Sequence, residues 1–476
     1  MRTGYLPKEQ RKKILLLSDD IRTLSGVGVM SREIVEETCH RYNWVQVGAG
    51  LVNPDAGKLL DMSEAVSQET GVDDASVFVY PYNGYGDPNL IRFLMEREKP
   101  DAILHFTDPR YWIWLYQMEH EIRQHIPLMY YNIWDDLPFP YYNRTFYQSC
   151  DALFSISKQT YAINKFVLGV DHIIDAHQMT EPTTKHILSY IPHGMSSKRY
   201  YPLPDTDPEL QAYRTHLFGD AEVKFVVLYN SRNIRRKQTS DIILSFGQFL
   251  KTLPEERWSE CRLILHTQRV DEHGTDLPAV INDVTPWAKP YIIFSENRVD
   301  SATLNRLYNI ADVTISISSN EGFGISTCES LYAGTPIIVN VTGGLQDQCG
   351  FMDDQGEYLD ATKHFVETWS SNHDGRFRRC GEWAFPVFPA SRSLQGSPLT
   401  PYIFDDRVKI EDVVDVLGDV YRLDRTERKR RGELGRQFAS GPARFDATLM
   451  GESFIQGIDA TLAHWTPRKR FELVPA

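Results

Sequence analysis

Residues 315–339 read ISISSNEGFGISTCESLYAGTPIIV, and the order of residue types in this stretch decides the fold. An alternating run ends near Asn320, a loop carries Glu321, Gly322, Phe323 and Gly324, a helical segment opens near Ile325, and an apolar run closes the stretch at 337–339. Strand, turn, helix and strand in this order make a βαβ unit, which belongs to a parallel sheet. A helix start presents unpaired backbone N–H groups and the positive end of the macrodipole, and glycine lets an anion approach the backbone closely. Gly322, Phe323, Gly324, Ile325 and Ser326 are therefore candidate contacts for a diphosphate, and Glu329 lies one turn into the helix, within reach of a ribose.

Runs of strand length flank this unit at KFVVLYNS (224–231), CRLILHTQ (261–268) and YIIFSENR (291–298), spaced by helix-like segments such as SDIILSFGQFLKTL. The same rhythm fills the first half, from KKILLLSDD (12–20) and the glycine turn and helix of SGVGVMSREIVEETCHRY (25–42) to ALFSISK (152–158). Two successive doubly wound α/β sheets are expected, in keeping with 476 residues, too many for one ordinary core. The helical signal at 208–220 is poor, and the proline-rich stretch YIPHGMSSKRYYPLPDTDPEL (190–210) is the expected linker. The expected domains are 1–200, 201–445 with an aperiodic insertion at 349–400, and a helical tail at 446–476 that packs back towards the amino-terminal domain.

The stretch NSRNIRRKQ (230–238) follows the first strand of the second half and carries Arg232 and Lys237. A leaving nucleoside diphosphate gains negative charge in the transition state, and fixed cations answer that charge in the absence of a metal. Arg235 and Arg236 read as a solvated basic turn. In the first half, Ser25, Gly26, Val27 and Gly28 form either a diphosphate-facing loop or a tight turn that needs glycine; the run lacks a full GxGxxG.

On these motifs the chain resembles the retaining glycosyltransferase family 4 and GT-B enzymes generally, whose signature is two glutamates with seven residues between them, as Glu321 and Glu329 are. The resemblance runs over about residues 12–348 and resumes near 401. It implies a GT-B fold, with two Rossmann-like doubly wound domains facing a cleft, and no metal site. By the same resemblance Glu329 holds the ribose hydroxyls, Glu321 contacts the donor sugar, Arg232 and Lys237 hold the diphosphate, Gly26 and Gly28 approach it, and Arg298 and Val299 in FSENRVDSATLNRLYNIADV (294–313) contact the base. The family's histidine near the donor sugar has no direct counterpart: in PLMYYNIWDD (127–136) Trp134 stands in its place before Asp135 and Asp136. His105 is either an active-site group or a structural histidine, and Asp135 either binds acceptor or sits in an exposed turn. The segments YYNIWDDLPFPYYN (130–143) and SRSLQGSPLTPYIFDD (391–406) are similar to glycosyltransferases of large DNA viruses and phages, some of which glycosylate hydroxymethylated bases in DNA.

A formal charge of −13 disfavours broad contact with nucleic acid or anionic membrane, although Arg376, Arg378, Arg379, Arg392 and Arg428–Arg431, interleaved with Trp383 and Phe385, are candidate DNA contacts. Six cysteines show no CxxC pair and no zinc spacing, so free thiols are expected. The amino terminus lacks a signal peptide's apolar stretch and no run approaches the ~18 apolar residues of a membrane span. A cytoplasmic location is expected, the host's for a viral chain. The implied co-substrate is a nucleotide diphosphate sugar, a UDP-sugar first, with no cofactor, and the acceptor is a small molecule or glycan, or modified DNA. A glycan phosphorylase, a sugar-nucleotide epimerase or a non-catalytic sugar-nucleotide-binding scaffold would share the fold.

Overall fold

The computed structural model describes residues 3–468 and divides the chain into two compact units. Unit 1 is the chain up to Gly194 together with Ser397–Pro401 and the segment from Ala447; unit 2 is Met195–Gly396 with Tyr402–Asp446. The boundary at Gly194 lies inside the proline-rich stretch. The expected tail begins with helix Ala447–His464, which belongs to unit 1; residues 469–476 lie outside the described residues.

The strands of unit 1 are β1 (Lys12–Asp19), β2 (Tyr42–Leu51), β3 (Leu60–Asp61), β4 (Val77–Asn83), β5 (Ala102–Phe106), β6 (Leu128–Asn132), β7 (Ala152–Ser155), β8 (Ile173–Asp175) and β9 (His186–Tyr190). They form one sheet in the order β3-β4-β2-β1-β5-β6-β7-β9-β8, parallel except where β3 meets β4. A parallel sheet covered on both faces needs apolar residues on both sides, and Ile14, Leu15, Leu16 and Leu17 are all fully buried. Helix Ala447–His464 is fixed by polar contacts as well as packing: the Tyr42 hydroxyl donates to Asp459 Oδ1 at 2.7 Å and Arg41 pairs with the same carboxylate at 2.7 Å.

Unit 2 contains β10 (Phe225–Asn230), β11 (Cys261–His266), β12 (Ile292–Phe294), β13 (Val313–Ser316), β14 (Ile337–Asn340), β15 (Ala384–Val387) and, apart from its tip Ser397–Pro401, the two-stranded ribbon β16 (Ser391–Ser397) with β17 (Thr400–Arg407). The main sheet runs β12-β11-β10-β13-β14-β15, all parallel. The order reverses between β10 and β13, so the loops that leave their carboxyl ends diverge around a crevice, the usual ligand position of open α/β sheets.

One expectation is corrected here. Residues 208–220 do form a helix, Pro208–Phe218, started by proline and by Asp207, whose carboxylate accepts from Leu210 N at 2.8 Å. It buries only Leu210, so no apolar stripe announces it in the sequence. Within the expected insertion at 349–400, residues 384–387 add β15 to the sheet beside β14. Trp383 anchors that strand: its indole donates to Gln348 O at 2.9 Å and stacks on Phe438 with ring centres 4.6 Å apart.

Candidate active site

The crevice between β10 and β13 collects four elements in unit 2. After β10, a turn of 3-10 helix, Arg235–Lys237, presents Lys237 inward, only 8% exposed. After β13, the loop through Glu321 leads into helix Ile325–Tyr332, whose N-cap is Gly324 at φ +89°. That conformation suits glycine, and a Cβ there would lie 2.5 Å from Leu345 Cδ2. The following VTGG loop packs underneath: Gly344 N donates to Glu321 O at 2.9 Å, and a Cβ on Gly343 would collide with that oxygen at 2.0 Å. Gln348 Nε2 donates to the carbonyls of Phe323 at 2.7 Å and Gly324 at 2.9 Å, so the loop's carbonyls are held away from the amides at the helix start.

The ribbon β16–β17 braces the same loop. Asn320 Nδ2 donates to Phe404 O at 2.6 Å, and the Asp406 carboxylate accepts from Thr342 Oγ1 at 2.8 Å and from Arg392 at 2.5 Å.

The two glutamates titrate in opposite directions because they meet different partners. Burial works against charge on Glu321, but Lys237, paired directly with its carboxylate, and Arg236 at 3.9 Å outweigh it and hold the carboxyl below its usual range. Glu329 is 8% exposed and is answered by phenols: burial pushes its pKa up to about 7, and hydrogen bonds from Tyr308 and Tyr200 work against the rise. The Tyr308 hydroxyl donates to Glu329 Oε2 at 2.6 Å and accepts from Asn230 Nδ2 at 2.7 Å. Both carboxyls are buried, so neither sits in a solvated turn.

Lys237, Glu321, Gly322, Phe323, Gly324, Ile325, Ser326 and Glu329 thus lie on one loop–helix junction and the turn beside it. Arg232 is on the same β10 loop, but its guanidinium, 57% exposed, is engaged by Asp271 at 2.9 Å. Arg298 is exposed and Val299 half-buried, immediately before the Asp300 cap of helix Ser301–Ile310 in the same unit. In unit 1, Gly28 is required by packing, since a Cβ there would meet Thr23 Oγ1 at 2.1 Å. Its amide donates to Ser25 Oγ at 3.0 Å, and Ser25 donates to Asp19 Oδ2 at 2.6 Å, so Gly26 begins a well-capped helix after β1.

His105 needs correction as a candidate that touches ligand. It is fully buried on β5, stacked on Tyr130 with centroids 5.2 Å apart and hydrogen-bonded through Nδ1 to the Tyr116 hydroxyl at 2.7 Å, and burial pushes its pKa down to about 3. Trp134, where the family pattern has histidine, is 6% exposed beneath the guanidinium of Arg110, 4.6 Å from its ring centre. Asp135 is half-buried, its carbonyl accepting from Gln159 Nε2 at 2.7 Å.

Several of the candidate DNA-contact side chains are engaged within unit 2, while Arg379 is exposed. Arg376 lies over Trp369, Arg378 over Phe388, Arg392 on Asp406, Arg428 on Asp312, Lys429 on Asp205, and Arg430 and Arg431 on Glu427. Trp383 is 5% exposed and offers no face to a base. Among the described residues no group of His, Cys, Asp and Glu side chains is arranged to hold a metal ion, and no helix is long and apolar enough to cross a membrane.

Sequence reasoning missed Tyr308, Tyr200, Asn230 and Asp271. Nothing in their spacing points to the site; they reach it because β10 and β13 are neighbours and helix Ser301–Ile310 crosses beside helix Ile325–Tyr332.

Two Rossmann-like units, each with a parallel sheet, define the GT-B fold, which the solved relatives share. Residues 293–355 match the family described as Glycosyl transferases group 1. Over 149 residues the chain is 28% identical to the alpha-monoglucosyldiacylglycerol synthase of Acholeplasma laidlawii, covering 31% of this chain and 35% of that protein. The chain spans about a third of the length of the curated relatives it matches. In structure it is similar to sucrose-phosphate synthase from Thermosynechococcus elongatus, with TM-score 0.64, 14% identity, and coverage of 95% of this chain and 100% of that one. Anabaena HepE in complex with UDP and glucose gives TM-score 0.61 at 14% identity over 94% of this chain and 100% of that one.

Proposed function

We propose that this protein is a metal-independent retaining glycosyltransferase of the family 4 type, which transfers a sugar from a nucleotide diphosphate donor to a hydroxyl acceptor. The observation that carries this is the convergence of Lys237, Glu321, the helix start at Ile325 and Glu329 at the β10/β13 crevice. Cation and helix amides answer the diphosphate, Glu329 takes the ribose and Glu321 the sugar hydroxyls; Arg232 joins the phosphate by exchanging Asp271 for it. Charge-assisted hydrogen bonds contribute about 1.5–3 kcal/mol each, so lysine, arginine and amides together supply much of the leaving-group stabilisation.

In the transfer, the bond from the anomeric carbon to the β-phosphate oxygen breaks and a bond to the acceptor oxygen forms on the same face. The acceptor's proton passes to the departing phosphate oxygen, so no protein nucleophile is needed. The HepE complex with UDP and glucose makes a UDP-sugar the first donor to test.

We take the acceptor to be a soluble sugar or small molecule, since a formal charge of −13 disfavours broad contact with a polyanion. The test is a mass-spectrometric screen of UDP-, GDP- and ADP-sugars against sugars, sugar phosphates, diacylglycerol vesicles and hydroxymethylated DNA. Transfer with retained anomeric configuration supports the proposal. Donor binding without transfer or hydrolysis indicates a scaffold, phosphate-dependent product a phosphorylase, an altered free nucleotide sugar an epimerase, and sugar on DNA alone displaces the small-acceptor assignment.

A further inference from the structure

A carboxylate removed from water survives as an anion only if donors or cations replace its hydration. Glu329 faces the Tyr308 phenol from helix Ser301–Ile310, the Tyr200 phenol from the segment after β9, and the Cys328 thiol next to it on its own helix; among the described residues no lysine, arginine or histidine shifts its titration. Its ionisation therefore depends on hydrogen bonds, and the direction of those bonds is decided one residue further back. Tyr308 has a single O–H proton. Because Asn230 Nδ2 donates to the Tyr308 oxygen at 2.7 Å, that proton is free to point at Glu329 Oε2, 2.6 Å away. The distance is within the ordinary range of an O–H···O hydrogen bond. Burial raises the Tyr308 phenol far above its usual value, so it stays a donor throughout the physiological range.

We propose that Tyr308, aligned by Asn230, is a positioning residue that orients Glu329 and favours its acceptor-only form, and so gives the site its selectivity for a donor whose ribose carries vicinal hydroxyls. A carboxylate offers about four lone-pair positions. Two take the phenols of Tyr308 and Tyr200, and two remain for the cis-diol of a ribose. A protonated Glu329 would present a donor of its own and lose one of those positions. The relay was not visible from the glutamate pair in sequence, since Asn230 and Tyr308 lie on separate elements that meet only in the folded sheet.

The inference rests on the proposed donor site, and the experiment separates the two. Calorimetric affinities are measured for UDP, GDP and ADP, each against its 2′-deoxy counterpart and its monophosphate, from pH 6 to 9, on the full chain and on Tyr308→Phe and Asn230→Asp. In the unaltered protein the ribose form binds at least about tenfold more tightly than the deoxy form, the loss expected for one hydrogen bond to a charged group. This ratio rises with pH through about 7, because the ionised carboxyl is the better acceptor. In Tyr308→Phe the ratio falls towards unity at pH 7 and recovers only at higher pH, while the diphosphate-to-monophosphate ratio is unchanged. Asn230→Asp, which puts an acceptor where the amide donates and leaves the phenol in place, gives the same shift and guards against a folding defect in the first variant. Ribose selectivity and its pH midpoint unaltered in both variants overturn the relay and leave the donor site standing. Absence of binding by any nucleoside diphosphate to the unaltered protein overturns both.

Discussion

Replacing Lys237 by methionine keeps the aliphatic stem and removes the charge that is paired with Glu321 and that the proposed site assigns to the diphosphate. The side chains of Lys237 and Glu321 are only 11% and 13% exposed, and the remaining cation, Arg236, stands 3.9 Å from the carboxylate with 42% of its side chain in solvent. Removing one partner of a buried pair costs about 3–5 kcal/mol, and Arg236 places the expected loss at the low end of that range. Chemical denaturation at pH 7 measures it. The pH dependence has a definite sign. Burial opposes the charge on Glu321 but Lys237 and Arg236 outweigh it, so the folded carboxyl binds its proton less readily than the unfolded one. The stabilisation is therefore complete above the unfolded glutamate value of about 4.3 and is lost as pH falls through the lower folded value. The difference between wild type and K237M shrinks over that acidic interval. In transfer assays, loss of one charge-assisted contact of about 1.5–3 kcal/mol lowers kcat/KM roughly 10- to 150-fold. A variant with kcat/KM within twofold of wild type and the same denaturation midpoint at pH 7 would refute the shared-lysine reasoning.

Gly324→Ala forces a side chain into a backbone at φ +89° and against Leu345, so thermal unfolding should show a loss of about 1–3 kcal/mol together with weaker diphosphate binding. Trp383→Ala tests whether 349–400 is part of the core: loss of the stacked, hydrogen-bonded indole is expected to cost about 3–5 kcal/mol in denaturant melts, and a change below about 1 kcal/mol would mean that the segment is dispensable. His105 is buried neutral, with its pKa pushed from 6.5 to about 3, so the unfolded chain binds a proton that the folded one refuses. Stability is then complete above about pH 6.5 and falls as pH drops towards the folded value, by about 1.4 kcal/mol per pH unit for one proton, and His105→Asn should flatten that slope between pH 6 and 4.

The fold was legible because its signals are local. Apolar runs of strand length, glycine turns and capped helices recur along both halves, and a βαβ unit in which each strand is covered on both faces leaves that pattern in the sequence. The helix Ile325–Tyr332 and its glycine cap could be read directly from EGFGIS, because the cap conformation and the close approach of the VTGG loop both exclude a side chain. Helix Pro208–Phe218 and strand β15 were less legible for a common reason. One buries a single leucine, and the other is a four-residue segment whose identity as a strand depends on a neighbour in the sheet.

By itself the sequence determined the two parallel sheets and the residues of the loop–helix junction, because periodicity, glycine placement and capping act over a few residues. Only the tertiary structure decided how those residues behave. The pairing of Lys237 with Glu321, the diversion of Arg232 to Asp271, the phenols that replace water at Glu329 and the burial of His105 all join residues far apart in the chain. Electrostatics depends on distance and on exclusion of solvent, and neither is fixed until the strands stand side by side.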